Sequence, residues 1–403
     1  MPEPRSSAPP VPAALESSLR EHRAATERRM VAALDRLSPG WSGRRHLWLG
    51  SKPECALLAA AGGRPLALEL HGGEPLLIGQ PRLRALLEEV RHYPGRVKVS
   101  IQTNGTLLTD EWLDFFEAEW PTIEIGVSLD GDPVANCNRV DYRDRPIDAA
   151  VESALARLAQ RGRSVGVISV VTRASIGRAG TIVSYFSGFT AVRQVKVAPC
   201  LDLNVQTKTL PPGNRKSLLR LNASGEGIPG WATTPLEYSC FLIEAFDAWV
   251  DTGAFRRFLI EPQTSVIRAL AGRSSSFCHF SESKCAHVLT LYPDGRIGSC
   301  DELPMPRAEL SHVAAVRSLD DIVDLRTNPA LRHDLDRLLE KCEACSYRPT
   351  CGGGCLATRL RYQGTPYDDE YCAYRMQLID HVRSALPATT ACAPREHKVE
   401  SHA

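Results

Sequence analysis

Short apolar runs and longer amphipathic stretches alternate through the first half of the chain. The runs HLWL (46–49), LALEL (66–70), VKVSIQ (97–102), IEIGVSL (123–129), VGVISVV (165–171) and VRQVKVA (192–198) are β-rich. Between most of them, apolar residues recur at helical spacing over 81–92, 109–119, 147–161 and 174–187. Strands that alternate with helices predict βα units and a parallel sheet. Six strands in this span fit either a partial α/β barrel or a doubly wound sheet. Before them, Leu15, Leu19, Met30, Leu34 and Leu37 predict a helix over 13–37, stopped by SPG at 38–40. Residues 1–12 and 387–403 read as disordered arms, and the Pro/Gly-rich stretch 199–235 as a long loop. Helices are expected over 236–251 and 373–386.

Composition narrows the function classes. The 403 residues carry a formal net charge of +1, without the basic surplus of a dedicated nucleic-acid binder. No apolar run reaches the roughly 18 residues of a membrane span. The opening MPEPRSSAPPVP has no apolar core of a secretory signal, so a cytoplasmic location is expected. Of 13 cysteines, nine fall at or after Cys278. Without an export signal, such a cluster reads as metal ligands rather than a disulfide framework.

Three motifs close successive strands: HGGEPLL (71–77), QTNGTLL (102–108) and SLDGDP (128–133). In α/β sheets and barrels, the carboxyl ends of strands are where ligands bind. Gly72 and Gly73 let the backbone approach a ligand, Glu74 can accept from an ammonium, and Asn104 presents an amide from a tight turn. Ser128 and Asp130 add a hydroxyl and a carboxylate. Each motif alone is an ordinary turn; their ordered succession is the signal.

That succession, with Arg139 following, resembles the core of radical S-adenosylmethionine (SAM) enzymes of the peptide-modifying and sulfatase-maturating kind. The resemblance covers 46 to about 386 and implies a partial (β/α)6 TIM-like barrel. It also implies that Gly72, Gly73, Glu74, Asn104, Ser128, Asp130 and Arg139 line a SAM pocket.

The C-terminal cysteines run Cys278-x6-Cys285-x14-Cys300, then Cys342-x2-Cys345-x5-Cys351-x3-Cys355, then Cys372. The segment LTLYPDGRIGSC predicts a hairpin that carries Cys300 back toward Cys285. Eight cysteines make two four-sulfur sites, and soft thiolates select zinc or iron–sulfur clusters; spacing alone does not separate them. The pattern resembles the SPASM domain. The resemblance implies two auxiliary 4Fe-4S clusters, one on Cys278, Cys285, Cys300 and Cys355, the other on Cys342, Cys345, Cys351 and Cys372. It also makes Asp301 a candidate base toward a peptide or protein substrate; the plain alternative is a solvated hairpin residue. Cys55, Cys137, Cys200, Cys240 and Cys392 fall outside the pattern, and of these Cys200 ends the sixth strand.

The family's third cluster is missing its signature. No C-x3-C-x2-C occurs anywhere in the chain, and the loop after HLWL holds only Cys55. The expected organisation is an N-terminal arm and helix (1–45), a radical SAM-like partial barrel (46–200), a linker and helix (201–271), a SPASM iron–sulfur domain (272–386) and a tail (387–403). The expected function is a substrate-binding or electron-relay partner in peptide or protein maturation. It would carry two auxiliary clusters and work beside a complete radical SAM enzyme. Two other readings stay open: an enzyme with altered SAM-dependent or oxidoreductase chemistry, and a structural metal-stabilised interaction module.

Overall fold

A computed structural model of the chain describes residues 46–49, 58, 60–71, 73–141, 143–200, 230–275, 277–281, 288–292, 295–303, 308–322, 329–363 and 367–386. The arm, helix and tail expected over 1–45 and 387–403, most of the 199–235 loop, and Cys55, Gly72, Cys285, His287 and Cys392 lie outside these residues.

Six strands form where the apolar runs predict them: β1 (His46–Leu49), β2 (Leu66–Leu70), β3 (Val97–Thr103), β4 (Glu124–Ser128), β5 (Val165–Val171) and β6 (Val192–Pro199). They pair in parallel and in sequence order, from His46 opposite Ala67 through to Val171 opposite Pro199. Helices α1 (Gln80–His92), α2 (Asp110–Glu119), α3 (Asp148–Gln160) and α4 (Ala179–Ser187) make crossovers. Each helix turns its apolar stripe to the sheet: Leu83, Leu87 and Val90 from α1, and Val151, Ala154, Leu155 and Leu158 from α3, are buried.

The sheet goes further than the sequence pattern shows. Helix α5 (Pro235–Asp251) begins with a capping box, in which Thr234 accepts from the Glu237 amide and Glu237 from the Thr234 amide. It leads to a seventh parallel strand, β7 (Leu259–Glu261), paired with β6, and then to α6 (Gln263–Leu270). Residues 230–271 therefore belong to the barrel core. On the other edge β8 (Val288–Leu291) pairs in parallel with β1. β9 (Arg296–Gly298) and β10 (Glu309–His312) add antiparallel strands, giving the order β10-β9-β8-β1-β2-β3-β4-β5-β6-β7. The predicted cysteine hairpin is thus β8–β9, and it is continuous with the barrel sheet. Helices α7 (Pro329–Glu340), α8 (Leu356–Tyr362) and α9 (Tyr367–Ala385) complete the C-terminal region. α9 starts six residues before the expected 373, which places Cys372 inside a helix. It packs on α5, where Tyr238 meets Tyr374 edge-on and the Ser239 hydroxyl donates to the Tyr374 carbonyl. Among the described residues no helix is long and apolar enough to cross a membrane.

One buried acid inside this core gives a pH test. Glu261, on β7, is 3% exposed and accepts from the Ser265 amide at 3.1 Å. Burial pushes its carboxyl up to about 7, with Ser265, Arg268 and Lys196 opposing. The folded state therefore holds a proton that the unfolded chain releases near 4.5. The stability this proton carries is complete below about 4.5 and is lost as pH rises through about 7. Glu261→Gln keeps an acceptor without the charge. Its stability relative to the wild type should be near zero at pH 4.5 and grow toward about 3 kcal/mol at pH 8. Denaturant melts at the two pH values check this; an equal difference at both would assign the effect to packing.

Candidate functional site

The three strand-end motifs meet at one edge of the sheet, and hydrogen bonds between neighbouring strands hold them there. Glu74 ends the turn after β2. One of its carboxylate oxygens accepts from the Leu76 amide at 3.1 Å and the Thr103 hydroxyl at 2.7 Å; the other accepts from the Asn104 amide at 2.7 Å. Glu74 is half-buried, and a carboxylate has about four lone-pair positions, so one more donor can be seated. Gly73 beside it has φ +57°, the left-handed region a side chain rarely adopts. Asn104 turns back on its own loop, its carbonyl accepting from the Thr106 amide and hydroxyl.

On the next strand, the Ser128 hydroxyl accepts from the Gln102 side-chain amide at 3.1 Å. Gln102 lies across Gly126, where a Cβ would overlap its amide oxygen, so the absent side chain at 126 is what lets Gln102 reach Ser128. Gln102 belongs to the QTNG motif, but its link to β4 needs the strand register to be seen.

Asp130 is buried and accepts from Arg139 and from the Val170 amide, both at 2.7 Å. Burial pushes its carboxyl up, and the Arg139 guanidinium opposes this. The carboxylate thus fixes Arg139, which is 21% exposed at this edge. At neighbouring strand ends these bonds link Glu74 with Asn104, Gln102 with Ser128 and Asp130 with Arg139; Gly72 lies outside the described residues.

The hairpin carries Asp301 over the same edge. Its carboxylate lies 3.8 Å from His71 Nε2, at the end of β2. Glu69, two residues earlier on β2, is driven up by burial, pulled down by Lys196 and raised again by Asp301. The Lys196 ammonium, from β6, sits 5.0 Å above the Phe277 ring, and Phe277 stacks on His279 at 4.3 Å. Glu69, His71 and Lys196 thus join Asp301 in a polar group within the barrel. Sequence reading singled out only Asp301 of these, because the alternation of a strand does not tell which neighbours its polar residues meet.

Seven of the eight pattern cysteines lie among the described residues. Cys300 and Cys355 both pack against Leu303, Ala308 and Ala357. Cys278 opens the turn Cys278–Phe280, against which Gly352 lies so closely that a Cβ would stand 2.7 Å from the Phe280 carbonyl. Glycine at 352, at φ +62°, is what lets the loop between Cys351 and Cys355 reach that turn. For the second set, Cys345 N–H donates to the Cys342 carbonyl, and the helical turn Arg348–Cys351 carries Cys351. Burial pushes the Cys372 thiol up, Arg359 opposes this, and Cys351 and Cys342 add to it. Among the described residues no three histidine, cysteine, aspartate or glutamate side chains are close enough to hold a single metal ion.

Two buried guanidiniums test the fit of an anionic thiolate site. Arg359 donates to Cys342 Sγ at 3.3 Å and Arg375 to Cys351 Sγ at 3.0 Å. Arg359 also keeps its Nε buried without an acceptor. Buried cations that donate to cysteine sulfur match the chemistry of a tetrathiolate cluster.

No protein-family model matches the chain. Among curated proteins, it is 25% identical over 321 residues to the serine-type anaerobic sulfatase-maturating enzyme of Bacteroides thetaiotaomicron, covering 77% of this chain and 74% of that one. It is 24% identical over 295 residues to the cysteine-type enzyme of Clostridium novyi, covering 71% of each. Among solved structures, native anSMEcpe with bound AdoMet (SAM) superposes with a TM-score of 0.65 at 21% identity, covering 82% of this chain and 87% of that one. The same protein with AdoMet and the Cp18Cys peptide gives 0.66. The chain is thus similar to anaerobic sulfatase-maturating enzymes, and it shares the fold of the anSMEcpe structures.

Proposed function

We propose that the chain is a maturase-like partner protein. It binds a peptide or protein segment at the strand-end edge and holds two four-cysteine iron–sulfur clusters. It has no SAM-cleaving cluster of its own and works beside a complete radical SAM enzyme. The observation that carries this reading is a contrast within the chain. The strand-end motifs keep their supporting hydrogen bonds, from Glu74 to Asn104, Gln102 to Ser128 and Asp130 to Arg139. The loop that should supply three thiolates after β1 has one, Cys55.

When bound, 4Fe-4S clusters supply one-electron transfer. Cys278, Cys285, Cys300 and Cys355 would hold the first, and Cys342, Cys345, Cys351 and Cys372 the second. Both are then fully ligated by protein sulfur, with no open iron to chelate SAM. On the substrate side, Asp301 is the base candidate. His71 at 3.8 Å orients its carboxylate, and Glu69 and Lys196 set the local charge. SAM, if it binds, meets Glu74, Asn104, Ser128 and Arg139. Curated relatives are named for maturing sulfatases, and the structural neighbour anSMEcpe was solved with a peptide, which supports a peptide substrate here.

The test is direct. The reconstituted chain with dithionite and SAM should form no 5′-deoxyadenosine by mass spectrometry, and adding a complete radical SAM partner should restore product. Multiple turnovers by this chain alone, lost on Cys55→Ala, would sink the proposal.

A further inference from the structure

We propose that Arg359 and Arg375 are built-in counter-cations of the four-sulfur site of Cys342, Cys345, Cys351 and Cys372, and that their hydrogen bonds to sulfur raise the reduction potential of the cluster held there. This rests on the reading of that site as a cluster site.

Both arginines are 1% exposed. Arg359, on α8, donates through Nη1 to Cys342 Sγ at 3.3 Å and to the Gly353 carbonyl at 3.0 Å, and through Nη2 to the Leu338 carbonyl. Arg375, on α9, donates through Nε to Cys351 Sγ at 3.0 Å. Its Nη2 donates to the carbonyls of His279 and Cys351 at 2.7 and 2.8 Å, and its Nη1 to the Tyr374 hydroxyl at 3.2 Å. The guanidinium also lies 3.9 Å over the Phe280 ring. Among the described residues, neither arginine has a carboxylate partner within ion-pair distance.

A buried cation is retained when something of opposite charge faces it. Here the facing groups are cysteine sulfurs, one bond from each arginine. Four thiolates around a doubly charged cubane leave a dianion, and two guanidiniums match it. Adding one electron makes the site more negative. Fixed cations at hydrogen-bond distance from the ligand sulfurs therefore stabilise the reduced form, and hydrogen bonds to sulfur act in the same direction. Neither arginine stands to the first set as it does to the second: no sulfur of Cys278, Cys300 or Cys355 accepts from either guanidinium among the described bonds. Both arginines thus donate to sulfur in the second set, while Arg375 also reaches the Cys278 turn through the His279 carbonyl.

Potentiometric titration of the anaerobically reconstituted full chain, followed by electron paramagnetic resonance, tests this. The wild type should show two reductive transitions. Arg359→Gln and Arg375→Gln should each lower the same one, by at least a tenfold change in the oxidised-to-reduced ratio, about 59 mV for one electron. The other transition should stay in place. Arg359→Lys and Arg375→Lys keep the charge, and their transitions should stay with the wild type rather than with the glutamine variants. If the glutamine variants do not fold, guanidinium nitrogen couplings on one reduced cluster of the wild type, read by pulsed electron paramagnetic resonance, uphold the proposal, and their absence overturns it. Unmoved transitions in folded glutamine variants, a tenfold drop in either lysine variant, or two variants that move different transitions also overturn it. Iron and sulfide analysis of the wild type separates the two levels. A chain that takes up zinc instead of iron fails the cluster reading, and this proposal with it. A loaded chain whose potentials ignore both arginines fails the proposal alone.

Discussion

Replacing Cys345 by Ala should halve the iron of the reconstituted chain, from about eight atoms to about four, because each four-cysteine site takes one cubane. The effect on stability should be as large. Metal binding at sites of this kind is folded-state free energy, on the order of 10 kcal/mol for structural zinc in small peptides, against a total stability of about 5–15 kcal/mol for a domain. The loss would not stay local. Cys372 lies in α9, and α9 lies on α5, where Tyr374 meets Tyr238 and His381 bonds Asp247 at 2.6 Å. Arg375, deprived of the cluster, becomes a buried cation facing a single thiol. We expect rapid proteolysis within 329–386 and a melting transition that splits from that of the barrel. Iron content and a protease time course measure both. A variant that keeps about eight irons would remove Cys345 from the ligand set, and stoichiometric zinc without iron–sulfur absorption in the wild type would replace the cubanes altogether.

The barrel was readable because its first six strands are dense in apolar residues over four to eight positions. In VGVISVV the buried residues alternate with half-buried ones along β5, and the sequence shows that alternation directly. β7 was not readable. LIE is three residues, shorter than any pattern, and its strand identity comes from pairing with β6. The docking of β8 on β1 was hidden for the same reason: a hairpin announces its own turn but not the edge it joins. The start of α9 was missed because its first turn is acidic and polar, although Asp368, Asp369 and Glu370 are the charges that a helix N-terminus favours. At the site, glycines, amides and cysteines were legible because their residue types are unusual at strand ends and in tight spacings. Gln102, Glu69, His71 and Lys196 were not, because their roles come from the residues opposite them on neighbouring strands. Arg375 lay in plain view beside Cys372, and only its burial gives it meaning.

Glu74→Ala should separate scaffold from pocket at the strand-end edge. The carboxylate accepts from Leu76, Thr103 and Asn104, so its removal leaves three donors to find water or go without. These groups are partly solvated, which keeps the cost near the low end, about 2 kcal/mol in all. The denaturant midpoint should fall by that amount with an unchanged slope. Ligand binding should suffer more. A charge-assisted hydrogen bond between the carboxylate and a ligand ammonium is worth about 1.5–3 kcal/mol, or roughly 10- to 150-fold in affinity. Calorimetry with SAM, S-adenosylhomocysteine and a cysteine- or serine-containing peptide measures this directly. Glu74→Gln is the control: its one side-chain oxygen serves only part of the three donors and the charge is gone, so it should recover some of the stability and little of the affinity. If the wild type binds none of the three ligands and Glu74→Ala changes stability alone, the edge is scaffold, and the peptide must bind elsewhere on the chain.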